Sequence, residues 1–410
     1  MKHWKVKTSL IFNYIIFAIL LNSVGIVIMR IINEYGIPEE SASVLEAYKD
    51  LSIAIFSFAI ASFIPRIGYK VTMLIALVIT AIACVAMPLA GGGFLMSKIL
   101  FAAVGFSFGL VKVSVYSTVG LVTEGTDDHA SFMSILEGLF MVGVLAGFWI
   151  FGFFIDSEIF SWLDTYWLIA AISIAAAILL AATELDESEA NPEGEFDTVK
   201  DFLKMFGLLK IPLVLIFILS AFFYVFIEQS IQTWLPTFNN KILQLPESIS
   251  VWMSSIYLGA LAVGRLSSGW FIKKLSWYTV LSSSLVLAFI LVVIVLPMTE
   301  GIESGSYQGW LTIPLAAYLF PLIGFCIAPI YPTLNSTVLS KLPKPRQSPM
   351  TGLIVIFSAL GGTAGSIITG TIFGLFSGQY AFYFSLVPIT VVFLLLIPYK
   401  RLIETFKIDD

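Results

Sequence analysis

The sequence has few of the residues from which catalytic and metal sites are built. In 410 residues it has two cysteines and two histidines, and 12% of the residues are charged. Cys84 and Cys326 lie inside long apolar stretches, which argues against a disulfide framework, and no His, Cys and carboxylate residues share metal-ligand spacing. We therefore expect no cofactor, no metal and no enzymatic activity. No basic stripe is present, so nucleic acid is not an expected partner.

The chain is instead rich in long apolar stretches. Hydrophobic residues make up 58% of it and the mean hydropathy is +0.96. Twelve long apolar stretches are divided six and six by a charged segment, roughly residues 184–210. A helix needs about 20 apolar residues to cross a hydrocarbon core of about 30 Å. The pattern predicts an all-α membrane protein that is embedded in a lipid bilayer by 12 transmembrane helices.

The first stretch follows a basic start but is longer than a signal-peptide core and is followed by no small-residue cleavage site, so we interpret it as a spanning helix. The predicted helices lie at about 8–30, 46–64, 71–90, 94–122, 131–155, 163–183, 211–237, 248–272, 277–298, 309–340, 349–377 and 380–399.

Basic residues predict the orientation. With the N-terminus inside, sixteen of the 22 lysines and arginines fall in inner segments and three, Arg30, Lys98 and Lys241, fall in outer segments. Inner segments of membrane proteins are enriched in lysine and arginine. Both termini are therefore predicted to be cytoplasmic, in a multi-pass protein of the bacterial cytoplasmic (inner) membrane.

The two sets of six helices resemble each other. The segment 63–70 (FIPRIGYK) aligns with 271–278 (FIKKLSWY), and Gly105 aligns with Gly324. Gly143 corresponds to Gly361 or Gly362. We predict an N-terminal six-helix bundle at 1–184, a cytoplasmic acidic linker at 185–210 and a C-terminal six-helix bundle at 211–410. Six helices per half give parallel repeats, related by a pseudo-two-fold axis along the membrane normal.

The segment between predicted helices 2 and 3 resembles the signature of the major facilitator superfamily, Gly-x-x-x-Asp-Arg-x-Gly-Arg-Lys. Arg66, Gly68 and Lys70 match that signature, whereas Pro65 stands at its acidic position. Predicted helix 5 is rich in glycine, as is common in that family. The resemblance implies a monomeric secondary transporter that works by alternating access, and it implies a gating or structural role for the three matching residues. The departure at Pro65 weakens the charge latch expected there.

A narrower resemblance is to the fucose-permease-like branch, the fucose:proton symporters. It is carried by the stretches 222–238 (FFYVFIEQSIQTWLPTF), 257–269 (YLGALAVGRLSSG) and 324–338 (GFCIAPIYPTLNSTV). Relatives in that branch use acidic residues on helices 1 and 4 for proton coupling. Predicted helix 1 has no acidic residue and predicted helix 4 carries Lys112, so neither substrate nor coupling is transferred by the resemblance.

Charges within the spans are the candidate functional residues, because a charge at a helix centre costs at least about 2.5–3.5 kcal/mol on insertion scales. Seven such residues stand in predicted helices: Glu46, Lys49, Asp50, Lys112, Glu137, Glu228 and Arg265. Lys112 and Glu137 lie at similar depth on antiparallel neighbours, which permits contact. They are either a proton-sensitive pair or a solute anchor with its counter-ion, or else a static ion pair.

Glu228 is followed by Gln229 and Gln232 on predicted helix 7, a set that can accept hydroxyl groups or a proton, or can simply link helix 7 to helix 8 or 11. Glu46, Lys49 and Asp50 lie near the outer end of predicted helix 2. There they are either an outer gate or, as we favour, solvated charges at a helix end. For Arg265 we favour a role in helix packing. The remaining candidates for binding a neutral hydrogen-bonding solute are Asn13, Asn22, Tyr116, Tyr224, Tyr331 and Asn335.

From these residues we predict a secondary transporter for a small polar solute, a sugar or sugar derivative, coupled to protons as a symporter. Lys112 keeps an anionic solute such as a sugar acid open, and drug-type efflux by antiport is the other alternative within transporters. A polytopic receptor or membrane enzyme is the alternative from another class, although no sensory domain, nucleotide loop or catalytic triad supports it.

Overall fold

Long helices form most of the described chain. The computed structural model describes residues 4–61, 64–123, 125–187, 205–302 and 309–405, and these ranges contain no strand. The first half contributes α1 (Trp4–Tyr35, interrupted at Ser23), α2 (Val44–Ala61), α3 (Tyr69–Leu89), α4 (Phe94–Val122), α5 (Gly125–Asp156) and α6 (Asp164–Ala181). The second half contributes α7 (Pro212–Lys241), α8 (Glu247–Lys274), α9 (Trp277–Val295), α10 (Ala316–Lys341), α11 (Lys344–Leu375) and α12 (Gly378–Thr405).

Eleven of these helices are long and apolar enough to cross a membrane. The twelfth, α2, has 18 residues and carries three charges, Glu46, Lys49 and Asp50, in its first two turns. The prediction of twelve spanning helices is thereby confirmed. The span α10 departs furthest from a regular helix: it is built from short pieces, and Pro321 and Pro329 lie at their junctions. A proline lacks the backbone N–H that a continuous helix requires.

The chain divides into two compact units. The first contains Met1–Ile37 and Leu45–Phe196, and the second contains Pro38–Val44 and Asp197–Asp410. The predicted acidic linker at 185–210 lies mostly outside the described residues. The unit boundary inside it does not test the predicted domain limits.

The segment Pro38–Val44, which we name the strap, belongs to the second unit although it connects α1 to α2. The Ser366 hydroxyl on α11 donates to the Ser43 carbonyl at 3.3 Å, and Lys241 at the end of α7 lies 3.7 Å from Glu39. The predicted helix limits place this segment in an outer loop. It is a packed element of the second unit instead.

Close glycine contacts reproduce the internal repeat. In the first unit, α4 approaches α2 where Gly105 faces the Lys49 carbonyl. In the second unit, α10 approaches α8 where Gly324 faces the Tyr257 carbonyl. The register that aligns Gly105 with Gly324, and 63–70 with 271–278, also pairs Lys49 with Tyr257. Small residues permit this backbone approach in both units.

The same repetition relates α5 to α11. A Cβ atom at Gly143 would lie 2.9 Å from the Ala18 Cβ and 3.1 Å from the Ile15 carbonyl of α1. A Cβ atom at Gly361 would similarly meet the Phe222 carbonyl of α7. The structure therefore pairs Gly143 with Gly361, one of the two partners that the sequence left open.

Gly143→Val should destabilise the folded protein, because the new side chain has to separate α5 from α1. Inserting carbon atoms into a packed interior costs about 1–3 kcal/mol. Gly138→Val is a matched control on the same helix, since nothing lies within 4 Å of a Cβ at Gly138. Thermal unfolding of the purified proteins in detergent measures the difference. Equal midpoints for the two variants would contradict the role given to this contact.

Candidate functional site

The first unit holds a cluster of polar and aromatic side chains between α1, α4 and α5. Tyr116 and Lys112 are one turn apart on α4, and the Tyr116 hydroxyl donates to Glu137 Oε1 on α5 at 2.7 Å. Tyr14 on α1 lies with its ring centroid 6.2 Å from that of Tyr116 and 5.3 Å from that of Phe140. Tyr116 and Glu137 are exposed, so a solute can reach them.

Lys112 and Glu137 do not form the ion pair that their depth permits. Within the described part of the chain, no carboxylate makes a salt bridge with the Lys112 ammonium. That ammonium lies 6.0 Å from the centre of the Phe108 ring, and the side chain is half-buried. Glu137 is hydrogen-bonded to Tyr116 instead. A cation beside an aromatic ring, with no carboxylate in salt-bridge contact among the described residues, is suited to an anion brought by a solute.

The second unit holds a cluster between α7, α8, α10 and α11. Arg265 Nη2 on α8 donates to Glu228 Oε1 on α7 at 2.6 Å, and the two side chains are 38% and 13% exposed. The packing role that we favoured for Arg265 corresponds to a charged contact with Glu228. The same contact is the link between helices 7 and 8 that we considered for Glu228. The Tyr224 hydroxyl is buried close to both charges without an aligned hydrogen bond.

Aromatic and hydroxyl groups adjoin this pair. The rings of Tyr224 and Tyr331 stack with centroids 5.4 Å apart and planes at 20°. The Tyr331 hydroxyl shares a 2.9 Å hydrogen bond with the Ser358 hydroxyl of α11. Asn335, one turn after Tyr331, is half-buried and has an amide oxygen without a partner among the described residues. Tyr224, Glu228, Tyr331, Asn335 and Arg265 are therefore brought together, as part of the predicted set.

The two clusters occupy equivalent places in the repeat. The alignment of Gly105 with Gly324 pairs Lys112 with Tyr331 and Tyr116 with Asn335. In the first unit a hydroxyl on α4 bonds to α5, and in the second a hydroxyl on α10 bonds to α11. Ser358 was not predicted as a member, because a single serine in an apolar helix carries no signal of its own.

Two of the other four predicted amides are hydrogen-bonded within their own helix. The Asn13 amide donates to the Ser9 carbonyl of its own helix at 2.9 Å, and Asn13 is completely buried, so no solute reaches it in this structure. Asn22 likewise donates to the Ala18 carbonyl at 2.9 Å. Gln229 and Gln232 are half-buried on α7.

The three charges of α2 are not solvated, which corrects the interpretation favoured from the sequence. Glu46 is 0% exposed and Lys49 is 5% exposed. The Lys49 ammonium forms an ion pair with Glu46, lies 3.4 Å from Asp50 Oδ1, and donates to the Leu21 carbonyl of α1 at 3.2 Å. The helix end that should have reached water is covered by α1 and α4.

The turn between α2 and α3 carries the residues that match the family signature. Gly68 has φ +94°, in the left-handed region that favours glycine. The Lys70 ammonium donates to the carbonyls of Ala181 and Thr183 at the end of α6, at 2.9 and 2.6 Å. Arg66 is exposed.

Glu187 supplies an acid at this turn that the sequence analysis missed. Its carboxylate accepts from the backbone N–H groups of Tyr69 and Lys70 at 3.0 and 2.7 Å, at the start of α3. A carboxylate at a helix N-terminus satisfies unpaired N–H groups and complements the helix dipole. The turn is therefore fixed to the end of α6 by Lys70 in one direction and by Glu187 in the other.

Comparison with solved structures shows the same fold at low sequence identity. The nucleoside transporter NupG has a TM-score of 0.76 at 15% identity, covering 96% of this chain and 99% of its own. A D-xylose–proton symporter has 0.74 at 13%, covering 97% and 98%. The fucose:proton symporter FucP of E. coli has 0.61 at 14%, covering 99% and 100%. No curated protein sequence matches this chain significantly.

A family model gives the assignment. Residues 10–366 match the model of the Major Facilitator Superfamily, which is most of the chain. Such a protein is a multi-pass membrane transporter of small solutes and not an enzyme. With its twelve helices, its two repeated units and this match, the chain belongs to the Major Facilitator Superfamily.

Proposed function

We propose that this protein is a proton-coupled symporter that takes up a small polar solute, a sugar or sugar derivative, by alternating access. One observation carries the proposal: in each unit, aromatic rings adjoin charged and hydroxyl groups at repeat-equivalent positions. Tyr224 and Tyr331 stack beside Glu228 and Arg265 in the second unit. Sugars offer both C–H faces for aromatic rings and hydroxyl groups for hydrogen bonds, so such surfaces suit them.

The roles follow from the chemistry of each group. Glu228 and Glu137 accept hydrogen bonds from solute hydroxyls, or bind a proton in place of them. Arg265 and the tyrosine hydroxyls donate. A D-xylose–proton symporter and a fucose:proton symporter are among the structures of the same fold, which supports this solute class and protons as the second partner.

A sugar acid is a second candidate, and Lys112 favours it. Within the described residues the Lys112 ammonium has no carboxylate in salt-bridge contact, and the side chain remains accessible. A carboxylate on the solute would supply the missing charge. Efflux by antiport is less favoured, because α5 lacks the glycine–proline pairing that is common among antiporters of this superfamily.

The membrane location, the orientation and the oligomeric state are also part of the proposal. We place the protein in the bacterial cytoplasmic membrane with both termini inside, on the distribution of its basic residues. We propose that it works as a monomer, as the family resemblance implies.

Uptake into proteoliposomes tests the function. The purified protein is reconstituted and offered a panel of radiolabelled sugars, nucleosides and sugar acids, with and without an imposed proton gradient. We expect gradient-driven accumulation of one sugar or sugar acid above its outside concentration. Equilibration that ignores the gradient would identify a uniporter, and no transport of any sugar or sugar acid would reject the solute class.

A further inference from the structure

A groove in the second unit shares no lining residue with either polar cluster. It has a volume of about 240 Å³ and is bounded by α8, α9 and α10. Its lining includes Phe271 on α8, Leu275 directly after that helix, Leu287 on α9 and Phe325 on α10. An apolar cavity of about 150 Å³ is enough to hold a benzene molecule. The groove is therefore large enough to hold part of a hydrocarbon chain.

The lining of the groove offers few free polar groups. No described residue of the lining is charged. Two of its serines use their donors within their own helices: the Ser267 hydroxyl donates to the Gly264 carbonyl at 3.1 Å, and the Ser283 hydroxyl donates to the Val280 carbonyl at 3.0 Å. A polar solute needs placed polar groups that fix its orientation. The groove is therefore suited to a hydrocarbon chain rather than to a sugar.

The depth of the groove matches one leaflet of a bilayer. The lining runs along α8 from Gly264 to Leu275, which are eleven positions apart, or about 16 Å of helix. A hydrocarbon core of about 30 Å gives each leaflet about 15 Å. At Gly264 α8 packs closely on α10, since a Cβ atom there would lie 2.6 Å from the Ala328 Cβ. A chain that enters beside Leu275 would thus reach the middle of the membrane along a continuous wall.

Two lysines stand at the shallow end of this groove. Lys273 and Lys274 directly precede Leu275 of the lining, and both are exposed. The Lys274 ammonium packs over the Trp270 ring at 4.1 Å, and no described carboxylate makes a salt bridge with either lysine. Residues 248–299, which span most of α8 and all of α9, contain no aspartate or glutamate. The shallow end of the groove is therefore a positively charged surface that complements an anion.

We propose that the groove binds one anionic phospholipid of the inner leaflet, with an acyl chain between α8, α9 and α10 and the phosphate at Lys273 and Lys274. The proposed orientation places the turn between α8 and α9 on the cytoplasmic side, where basic pockets between membrane helices bind such headgroups. Lysines are common at inner turns, and the groove beside these two is the independent observation. The site depends on the proposed orientation, but not on the solute or on proton coupling.

Photo-crosslinking of the purified protein in detergent tests the site. The probe is a phosphatidylglycerol that carries a diazirine in the middle of one acyl chain, and mass spectrometry after proteolysis maps the adducts. We expect the adducts to concentrate on the segments of α8, α9 and α10 that line the groove. Unlabelled phosphatidylglycerol should compete with the probe, whereas phosphatidylcholine with the same acyl chains should compete only weakly.

The lysine variant Lys273→Gln/Lys274→Gln tests the charge. Its affinity for phosphatidylglycerol, measured from the dependence of adduct yield on lipid concentration, should fall about thirtyfold, because each basic residue near an anionic membrane surface contributes about fivefold. Lys210→Gln/Arg401→Gln is the matched control. It removes two exposed basic residues of predicted inner segments that do not line the groove, so its affinity should equal that of the wild type.

Ser284→Phe tests the groove itself, because the phenyl group would occupy the space proposed for the acyl chain. The adduct yield should fall in this variant. It should stay at the wild-type level in Val286→Phe, since the Val286 side chain is 45% exposed on α9 and lies outside the lining. If Ser284→Phe does not fold, the adduct map of the wild type decides whether the chain lies in the groove.

Four results would overturn the site. Adducts spread evenly over all the helices, or equal competition by phosphatidylcholine, would indicate ordinary surrounding lipid. Equal competition by free glycerol phosphate would indicate an anion site that takes no lipid chain. Equal affinities of the lysine variant and its matched control would show that Lys273 and Lys274 do not bind the headgroup.

Discussion

Lys112→Met should reduce the uptake of a sugar acid by about one to two orders of magnitude. A hydrogen bond to a charged group contributes about 1.5–3 kcal/mol, and every 1.4 kcal/mol is about tenfold in affinity. Uptake of a neutral sugar should fall less, since a hydroxyl group brings no charge of its own to pair with the ammonium. The comparison of a sugar with its acid in the same proteoliposomes therefore reports the charge specificity of Lys112.

This variant should fold, and the structure gives the reason. A static Lys112–Glu137 ion pair would have stranded Glu137 on mutation, whereas the Tyr116 hydroxyl already holds that carboxylate at 2.7 Å. Lys98→Met is the matched control on α4, because Lys98 packs over Phe94 and lies outside the cluster. Size-exclusion elution and unfolding temperature should match the wild type for both variants.

The double variant Lys112→Met/Glu137→Gln extends the test. Glutamine can still accept the Tyr116 hydroxyl bond, so the fold should survive the loss of both charges. We expect the sugar acid to remain a poor substrate. Wild-type uptake by the folded double variant would remove both residues from the mechanism, and an equal fall for the acid and its neutral sugar in Lys112→Met would make Lys112 a donor to hydroxyl groups rather than an anion site.

Hydrophobic length and basic residues were sufficient to predict the twelve helices and the repeat. The alignment of Gly105 with Gly324 could be made from the sequence alone, because the close approach of helix backbones requires a small residue at both positions. The depth of a residue along its helix could also be predicted from the sequence. Lys112 and Glu137 do lie on neighbouring helices near one cluster, as their positions indicated.

Rotation about each helix axis was not predictable. Lys112 and Tyr116 share a face of α4 one turn apart, and only the packing of α5 decides which of them reaches Glu137. Burial at a helix end was hidden for a similar reason. Glu46 stands in the first turn of α2, where water is the default neighbour, but α1 and α4 cover it. Glu187 is far from α3 in sequence, so its contact with the start of that helix is a tertiary event.

Glu228→Gln should abolish the uphill accumulation of solute. The substitution removes the anion that holds Arg265 at 2.6 Å, so the guanidinium is free to leave the stacked tyrosines Tyr224 and Tyr331. Because solute binding itself is lost, exchange should fall with accumulation. Accumulation and exchange in proteoliposomes measure the two effects, and unchanged accumulation would reject a functional role for Glu228.

Stability separates this role from a purely structural link. Arg265→Met leaves the Glu228 carboxylate, 13% exposed, without its cation, and breaking a fully buried pair costs about 3–5 kcal/mol. We expect a smaller loss, since the Arg265 side chain is 38% exposed, and the double variant Glu228→Gln/Arg265→Met should regain most of it. The exposed pair Lys400–Glu404 on α12 is the control, and its removal should change stability by less than about 1 kcal/mol. A stable double variant without uptake would indicate that the pair binds the solute. A stable double variant with wild-type uptake would indicate that the pair only links α7 to α8.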